Sequence, residues 1–184
     1  MKRFALYCSG GAKRIIDFYE TNSIDEYLPV FILYDGEKSE ALMSLEELCK
    51  NKCELYLFEA NYEKEAKKEV KKKFNDNLLR LLNNYEIDFL FCFGDKIINS
   101  KIVSLYKNRI INFHPSILPS FPGLNAIDQA LNSSTKIFGN TAHFIDNGIS
   151  VDAADGNTLK NLGISNFDVA FVCIGANIQD SILV

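Results

Sequence analysis

The chain has 184 residues, 47% of them hydrophobic and 24% charged, with a net charge of −4 and a sequence pI near 5.3. That length suits one domain of ordinary size with a real core, and the composition is that of a soluble globular protein, which excludes disordered and fibrous classes. The acidic balance excludes a general attraction to nucleic acid or anionic lipid, and no apolar segment approaches the roughly 20 residues of a membrane span. "MKRFALYCSGGAK" meets glycine and lysine too early for a secretory signal, so a cytoplasmic protein is expected.

In chain order, "RFALYC" (3 to 8) is an apolar run ended by "SGG" and followed by the helical "AKRIIDFYE". "LPVFILYD" (28 to 35) reads as the next strand and "SEALMSLEELCKN" has helical spacing. "CELYLFE" (53 to 59) follows, then a long charged helix from about Tyr62 to Asn84, whose Lys71-Lys72-Lys73 run reads as a solvated face with Glu/Lys pairs. "IDFLFCFG" (87 to 94) is apolar on both faces, as central parallel strands are. "SKIVSLYKN" reads as a short helix, "RIINFH" as a fifth strand, "NAIDQALN" as a helix and "KIFGNTAHFI" as a further strand. This order predicts an α/β fold: a doubly wound, mainly parallel sheet with right-handed crossovers and helices on both faces.

Five cysteines are an odd number. Cys8, Cys92 and Cys173 lie in apolar runs and read as reduced core thiols. Cys49 and Cys53, in "CKNKC", could offer two thiolates to a metal, but no second Cys or His pair stands near to complete a tetrahedral set, so no metal site is assigned.

In such sheets ligands bind beyond the carboxyl ends of the strands. Three polar loops fall there: Ser9-Gly10-Gly11, Gly94-Asp95-Lys96 and Asn112-Phe113-His114. The first opens a helix, so its backbone N–H groups could hold a phosphate, or it is simply a tight strand-to-helix turn. The third is more informative, because alternation along a strand sends Asn112 and His114 to one side and Phe113 to the other. An amide that donates without titrating, beside an imidazole that changes protonation near neutral pH, suits a carbonyl passing through a tetrahedral oxyanion. Three of the four prolines, Pro115, Pro119 and Pro122, then stiffen the exit from the strand. A histidine that merely caps a strand is the alternative reading.

"INFHPSILPSFPGLNAIDQAL" and the later "KIFGNTAHFID" resemble the formyltransferase family, specifically its glycinamide ribonucleotide transformylase branch, with its N-x-H-P-S-L-L-P, P-G and G-x-T-x-H-F-V pattern. The resemblance covers about residues 3 to 149 and implies a Rossmann-like formyltransferase domain over 1–150. It further implies small-molecule substrates, namely 10-formyltetrahydrofolate as cosubstrate and a primary amine as acceptor, and places the protein in purine biosynthesis. Asn112 and His114 would be two members of the catalytic triad, with His143 supporting them from behind. Phe91, Gly94, Asp95, Lys96, Ile97 and Ile98 would line the folate cleft, and Ser9, Gly10 and Gly11 would contact the substrate phosphate. The first-loop motif is one residue shorter than the family's S-G-x-G-S-N, and "FCFGDK" replaces L-A-G-F-M, departures that leave an amino-sugar nucleotide open as acceptor.

The third triad member departs further. Counting from "HFID", the expected Asp falls on Ser150, and Asp152 stands two residues on, roughly 7 Å along an extended chain. An impaired catalyst is the expectation. Residues 152 to 183, "DAADGNTLKNLGISNFDVAFVCIGANIQDSIL", resemble a fragment of the RCK nucleotide-binding domain of potassium-uptake regulators, in which Asp152 and Ala153 would face an adenosine. An RCK-like βαβ fragment over 151–184, completing the same sheet or joined to it at a seam, is thus expected. A non-catalytic nucleotide-binding module of such a system is the alternative function.

Overall fold

The computed structural model describes residues 2–21, 28–37, 39–60, 65–123 and 125–145. Among these residues six strands and five helices alternate in the predicted order: β1 (Phe4–Ser9), α1 (Lys13–Thr21), β2 (Phe31–Asp35), α2 (Glu40–Cys49), β3 (Glu54–Leu57), α3 (Lys67–Asn84), β4 (Phe89–Phe93), α4 (Ser100–Leu105), β5 (Ile110–His114), α5 (Ala126–Leu131) and β6 (Thr141–Phe144). They form one sheet of order β3-β2-β1-β4-β5-β6. β1 to β5 are all parallel, and β6 runs antiparallel to β5. The order reverses between β1 and β4, where such folds open their ligand crevice.

Alternation along the strands divides the core into two layers. Ala5, Tyr7, Phe31, Leu33, Leu90, Cys92 and Ile110 pack under α3 and α4, which bring Val70, Phe74, Leu78, Leu82 and Ile102. Leu6, Cys8, Ile32, Tyr34, Phe91, Ile111 and Phe113 pack on the other face, with Ile15 of α1 and Leu42 and Leu45 of α2. Tyr7, Tyr34, Phe31, Phe74 and six leucines are sealed from solvent, each worth about 1.5–3 kcal/mol of transfer free energy. The doubly wound architecture with helices on both faces is as expected.

Local chemistry sets the boundaries. The Asn99 side chain accepts from Ile102 N at 2.9 Å and caps α4. Its own N–H donates to Oδ1 of Asn75 at 2.7 Å, and Asn75, buried in α3, donates to Ile97 O at 3.3 Å, which ties the loop after β4 to α3. Gly94 is required there, because a methyl group at that position would overlap the Tyr7 ring. The sixth strand is shorter than the predicted 136 to 145. Thr135 Oγ1 donates to Ile137 O at 2.9 Å, turning the chain locally and leaving Ile137 73% exposed. The described part of the predicted 62-to-84 helix runs from Lys67. Cys8 and Cys92 are buried free thiols as expected; Cys173 lies outside the described residues.

Candidate active site

Asn112 and His114 emerge on the α3/α4 side of β5, since Ile111 and Phe113 fill the opposite layer. β6 brings its own side chains to the same surface, because the antiparallel register sets His143 opposite Asn112 and Thr141 opposite His114. Asn112 Nδ2 lies 3.2 Å from His143 Nε2. His143 Nδ1 is 3.0 Å from the Phe144 carbonyl, an oxygen that can only accept. The hydrogen of the neutral ring is therefore on Nδ1, and Nε2 accepts one N–H of the Asn112 amide. The two imidazoles stand edge to face, with ring centroids 6.5 Å apart.

His114 is 7% exposed and its Nε2 lies 2.9 Å from the Phe121 carbonyl, so the imidazole donates through that nitrogen. Phe121 has a φ of +52°, unusual for a bulky residue and of order 1–2 kcal/mol uphill. The loop is held in that state by Ser116, whose Oγ donates to Ser120 O at 2.6 Å. Thr141 secures the other side, accepting from Leu118 N at 3.0 Å and donating to Ser116 O at 2.7 Å. Pro115 and Pro119 thus flank a stretch bonded at two points to Thr141 of β6.

The loop after β4 is less simple. Gly94 is partly buried, and Asp95 and Ile97 are exposed beside the carboxyl end of the sheet, where a folate was expected. Phe91, Ile98 and Lys96 are each held by neighbouring protein groups. Phe91 points to the opposite layer, 5% exposed, with its ring 5.6 Å from Phe4 and 6.1 Å from Phe113; two-residue alternation carries it away from Asn112. Ile98 is drawn into the core under α3 and α4. The Lys96 ammonium forms an ion pair with Asp35, a carboxylate 7% exposed at the end of β2, and lies 5.9 Å from the Phe58 ring. Tyr7 completes the cluster: its hydroxyl donates to Asp35 Oδ2 at 3.4 Å and accepts from Lys96 N at 3.0 Å. Burial pushes the Asp35 carboxyl above its ordinary range, and the bond and charge of Lys96 pull it back down.

Gly10 and Gly11 lie exposed at the end of β1, with φ +59° at Gly10 and +46° at Ala12. Tyr34 donates to Gly10 O at 2.8 Å. The neighbouring surface carries Asp17, Glu20, Glu37 and Glu40 against Lys13, which is itself bonded to Asp17 at 2.8 Å. That side of the loop therefore presents mostly carboxylates.

Arg14 was not anticipated. From α1 it reaches Phe113 O at 3.4 Å and Asn140 Oδ1 at 3.3 Å, and its guanidinium lies 5.4 Å from the Phe93 ring centroid. Phe93 in turn stacks on Phe113 at 4.5 Å. No local pattern signals a residue whose partners are 99 and 126 positions away. Ser150, Asp152 and Ala153 lie outside the described residues. Among the described residues no helix is long and apolar enough to cross a membrane.

The family model for formyl transferases matches residues 38–155, well over half of the 184. The phosphoribosylglycinamide formyltransferase of Bacillus subtilis is 34% identical over 82 residues, 44% of this chain and 42% of that protein. The formyltetrahydrofolate deformylase of the same organism is 29% identical over 119 residues, 64% of this chain and 40% of that one. These matches span less than half the length of either relative. Among solved structures, the Streptococcus pneumoniae phosphoribosylglycinamide formyltransferase superposes with a TM-score of 0.65 at 28% identity, covering 82% of this chain and 77% of that one. The Geobacillus kaustophilus glycinamide ribonucleotide transformylase 1 gives 0.64 at 26%, covering 83% and 79%. The RCK-like reading of 152–183 is not borne out: the formyl transferase model runs past the expected seam through Asp155. Neither an impaired catalyst nor a nucleotide-binding regulatory module finds support in these similarities. By sequence and by fold, the chain belongs to the formyl transferase family.

Proposed function

We propose that the chain transfers the formyl group of 10-formyltetrahydrofolate to a primary amine, with Asn112 and His114 as the reacting side chains. The observation that supports this best is their convergence on one side of β5, at the carboxyl end of the sheet, with His143 and the Phe121 carbonyl fixing each of them. One N–H of the Asn112 amide is committed to His143, which orients the other toward a formyl oxygen. That donor strengthens as the carbonyl becomes a tetrahedral oxyanion, and it needs no reorganisation to do so. His114 keeps its Nε2 hydrogen on Phe121, so the lone pair of the neutral ring is on Nδ1. From there it can take the proton of the attacking amine and return it to the departing folate nitrogen.

Glycinamide ribonucleotide is the acceptor favoured by the likeness to the Bacillus subtilis transformylase, and an amino-sugar nucleotide is the second candidate. The carboxylates beside Gly10 and Gly11 argue that an acceptor's anionic group docks away from that face of the first loop. A second reading replaces the amine with water and releases formate; the similarity to the deformylase favours it. The test is turnover of 10-formyltetrahydrofolate with each amine and without any, following tetrahydrofolate absorbance and formate in parallel. Amine-dependent turnover abolished by His114→Ala supports transfer. Amine-independent formate release, also lost in His114→Ala, moves the assignment to hydrolysis. Turnover indifferent to His114→Ala overturns the site.

A further inference from the structure

The pair singled out in "CKNKC" lies at the other end of the sheet, where α2 hands the chain to β3. Lys50 (φ −51°, ψ 115°) and Asn51 (φ +60°) form a type II turn with Asn at the position that calls for a left-handed residue. Lys52 N and Cys53 N both donate to the Cys49 carbonyl, at 2.8 and 3.1 Å. Two amides on one oxygen fold the chain back on itself and bring residues 49 and 53 side by side. Their side chains share a hydrogen bond across the turn.

The two sulfurs differ in environment. Both border an open surface groove with Lys50, Lys52, Glu46 and Glu54, but Cys49 is only 4% exposed and packed against the α2 side of the core, whereas Cys53 is half-buried. The hydrogen bond from Cys49 and the nearby Lys52 charge draw the Cys53 thiol below its ordinary range, against the opposing effects of burial and Glu54. Donation to Cys53, burial, and the proximity of Cys53 and Cys8 push the Cys49 thiol up. Cys8, by contrast, is sealed in the core and pushed up to about 12 by burial. Two thiolates are half of a tetrahedral ligand set, and among the described residues no group of three or more Cys, His, Asp or Glu is placed to hold a metal.

We propose that Cys49 and Cys53 form a reactive dithiol that low-molecular-weight disulfides convert to an intramolecular disulfide. The Cys53 thiolate attacks one sulfur of R–S–S–R, the S–S bond breaks, and R–S⁻ leaves and takes up a proton. Cys49 then loses its proton to solvent and attacks the Cys53 sulfur of the mixed disulfide; the Cys49–Cys53 bond forms as the second R–S⁻ departs. Two protein thiols are oxidised by two electrons, and one small disulfide is reduced to two thiols. Attack starts at Cys53, the more exposed of the two sulfurs, and closure is fast because the turn holds the second thiol beside it.

The test uses the full chain with oxidised glutathione, alkylation of remaining thiols and tryptic mapping. Trypsin cuts after Lys50 and Lys52, between the two cysteines, so a Cys49–Cys53 bond holds the pieces together until reduction. Parent protein should give that linked peptide. Cys49→Ser should stop with glutathione on Cys53, and Cys53→Ser should react with glutathione disulfide at this loop at least tenfold more slowly. Phenylarsine oxide, which needs two adjacent thiols, should bind the parent and neither variant at this loop. Because Cys53 is the less buried of the two, Cys53→Ser stands as a test independent of the buried Cys49, with a urea melt matching the parent showing that its fold is kept. Equal glutathione rates in the two variants, or a parent whose Cys53 stays free while surface thiols of a control protein react, would overturn the proposal.

Discussion

Replacing Lys96 by Met removes the cation from a buried carboxylate while keeping most of the side chain's length. Asp35 is 7% exposed and Lys96 only 16% at the side chain, so water cannot fully substitute for the lost ammonium. Breaking a buried pair from one side typically costs about 3–5 kcal/mol. Here the Tyr7 hydroxyl still donates to Asp35, though at 3.4 Å, which points to the lower end, about 3 kcal/mol. For a domain of this size that is a fall in Tm of roughly 6–12 °C. The deficit should also depend on pH. Burial already raises the Asp35 carboxyl, and Lys96 supplies the strongest opposing influences, so the variant's carboxyl rises further. A carboxyl raised in the folded state is protonated preferentially there. Its contribution is therefore most favourable below the unfolded value of about 3.9 and is lost as pH climbs through the folded one. The penalty in Lys96→Met should thus be full at pH 7 and shrink toward pH 4. The double variant Asp35→Asn/Lys96→Met should recover most of the stability and lose that pH dependence. Urea melts at pH 4.5, 5.5 and 7 measure all of this. A Lys96→Met chain within 0.5 kcal/mol of the parent, or one whose deficit grows as pH falls, would refute the reasoning.

Asn112→Ala should reduce formyl transfer about 10²- to 10³-fold in kcat, the usual loss for one oxyanion donor, with unfolding by urea unchanged to within about 1 kcal/mol. His143→Ala removes the acceptor that orients the Asn112 amide; a net hydrogen bond of about 1 kcal/mol predicts a roughly fivefold to tenfold fall in kcat with KM for folate unchanged, read from steady-state kinetics. Gly94→Ala forces a methyl group into the Tyr7 ring and should cost about 1–3 kcal/mol in a denaturant melt, whereas Gly10→Ala, with nothing near its missing Cβ, should cost only the strain of its positive φ.

Much of this arrangement can be seen in the amino-acid order. Period-two alternation separates Asn112 and His114 from Phe113, and the uninterrupted apolar runs of β2 and β4 announce strands buried on both faces. The same alternation, applied to "IDFLFCFG", sends Phe91 opposite to Asn112, because Cys92 is the residue paired with it across β4 and β5. Motif position assigns Phe91 and Ile98 to the cleft; it records that a loop lies near the site but not which core layer each side chain joins. The Tyr7–Asp35–Lys96 cluster is illegible locally, since its members stand on three different strand ends and meet only when β2, β1 and β4 align. Arg14 is hidden for the same reason. The shortening of β6 follows from a hydroxyl, Thr135 Oγ1, that offers the chain a local partner in place of the sheet.

Thr141 stands opposite His114 and spends both capacities of its hydroxyl on the 116–118 stretch, accepting from one amide and donating to one carbonyl. A slip of β6 by one position would present Ala142 or Asn140 there, and neither can make both bonds in the same place. It would also turn His143 to the far side of the sheet. This hydroxyl therefore works as a register pin. Length changes between α5 and β6, where residues 132–137 are exposed, can be absorbed as loop without disturbing the alignment of His143 with Asn112. The segment is free to vary in length while the two side chains it delivers stay in place.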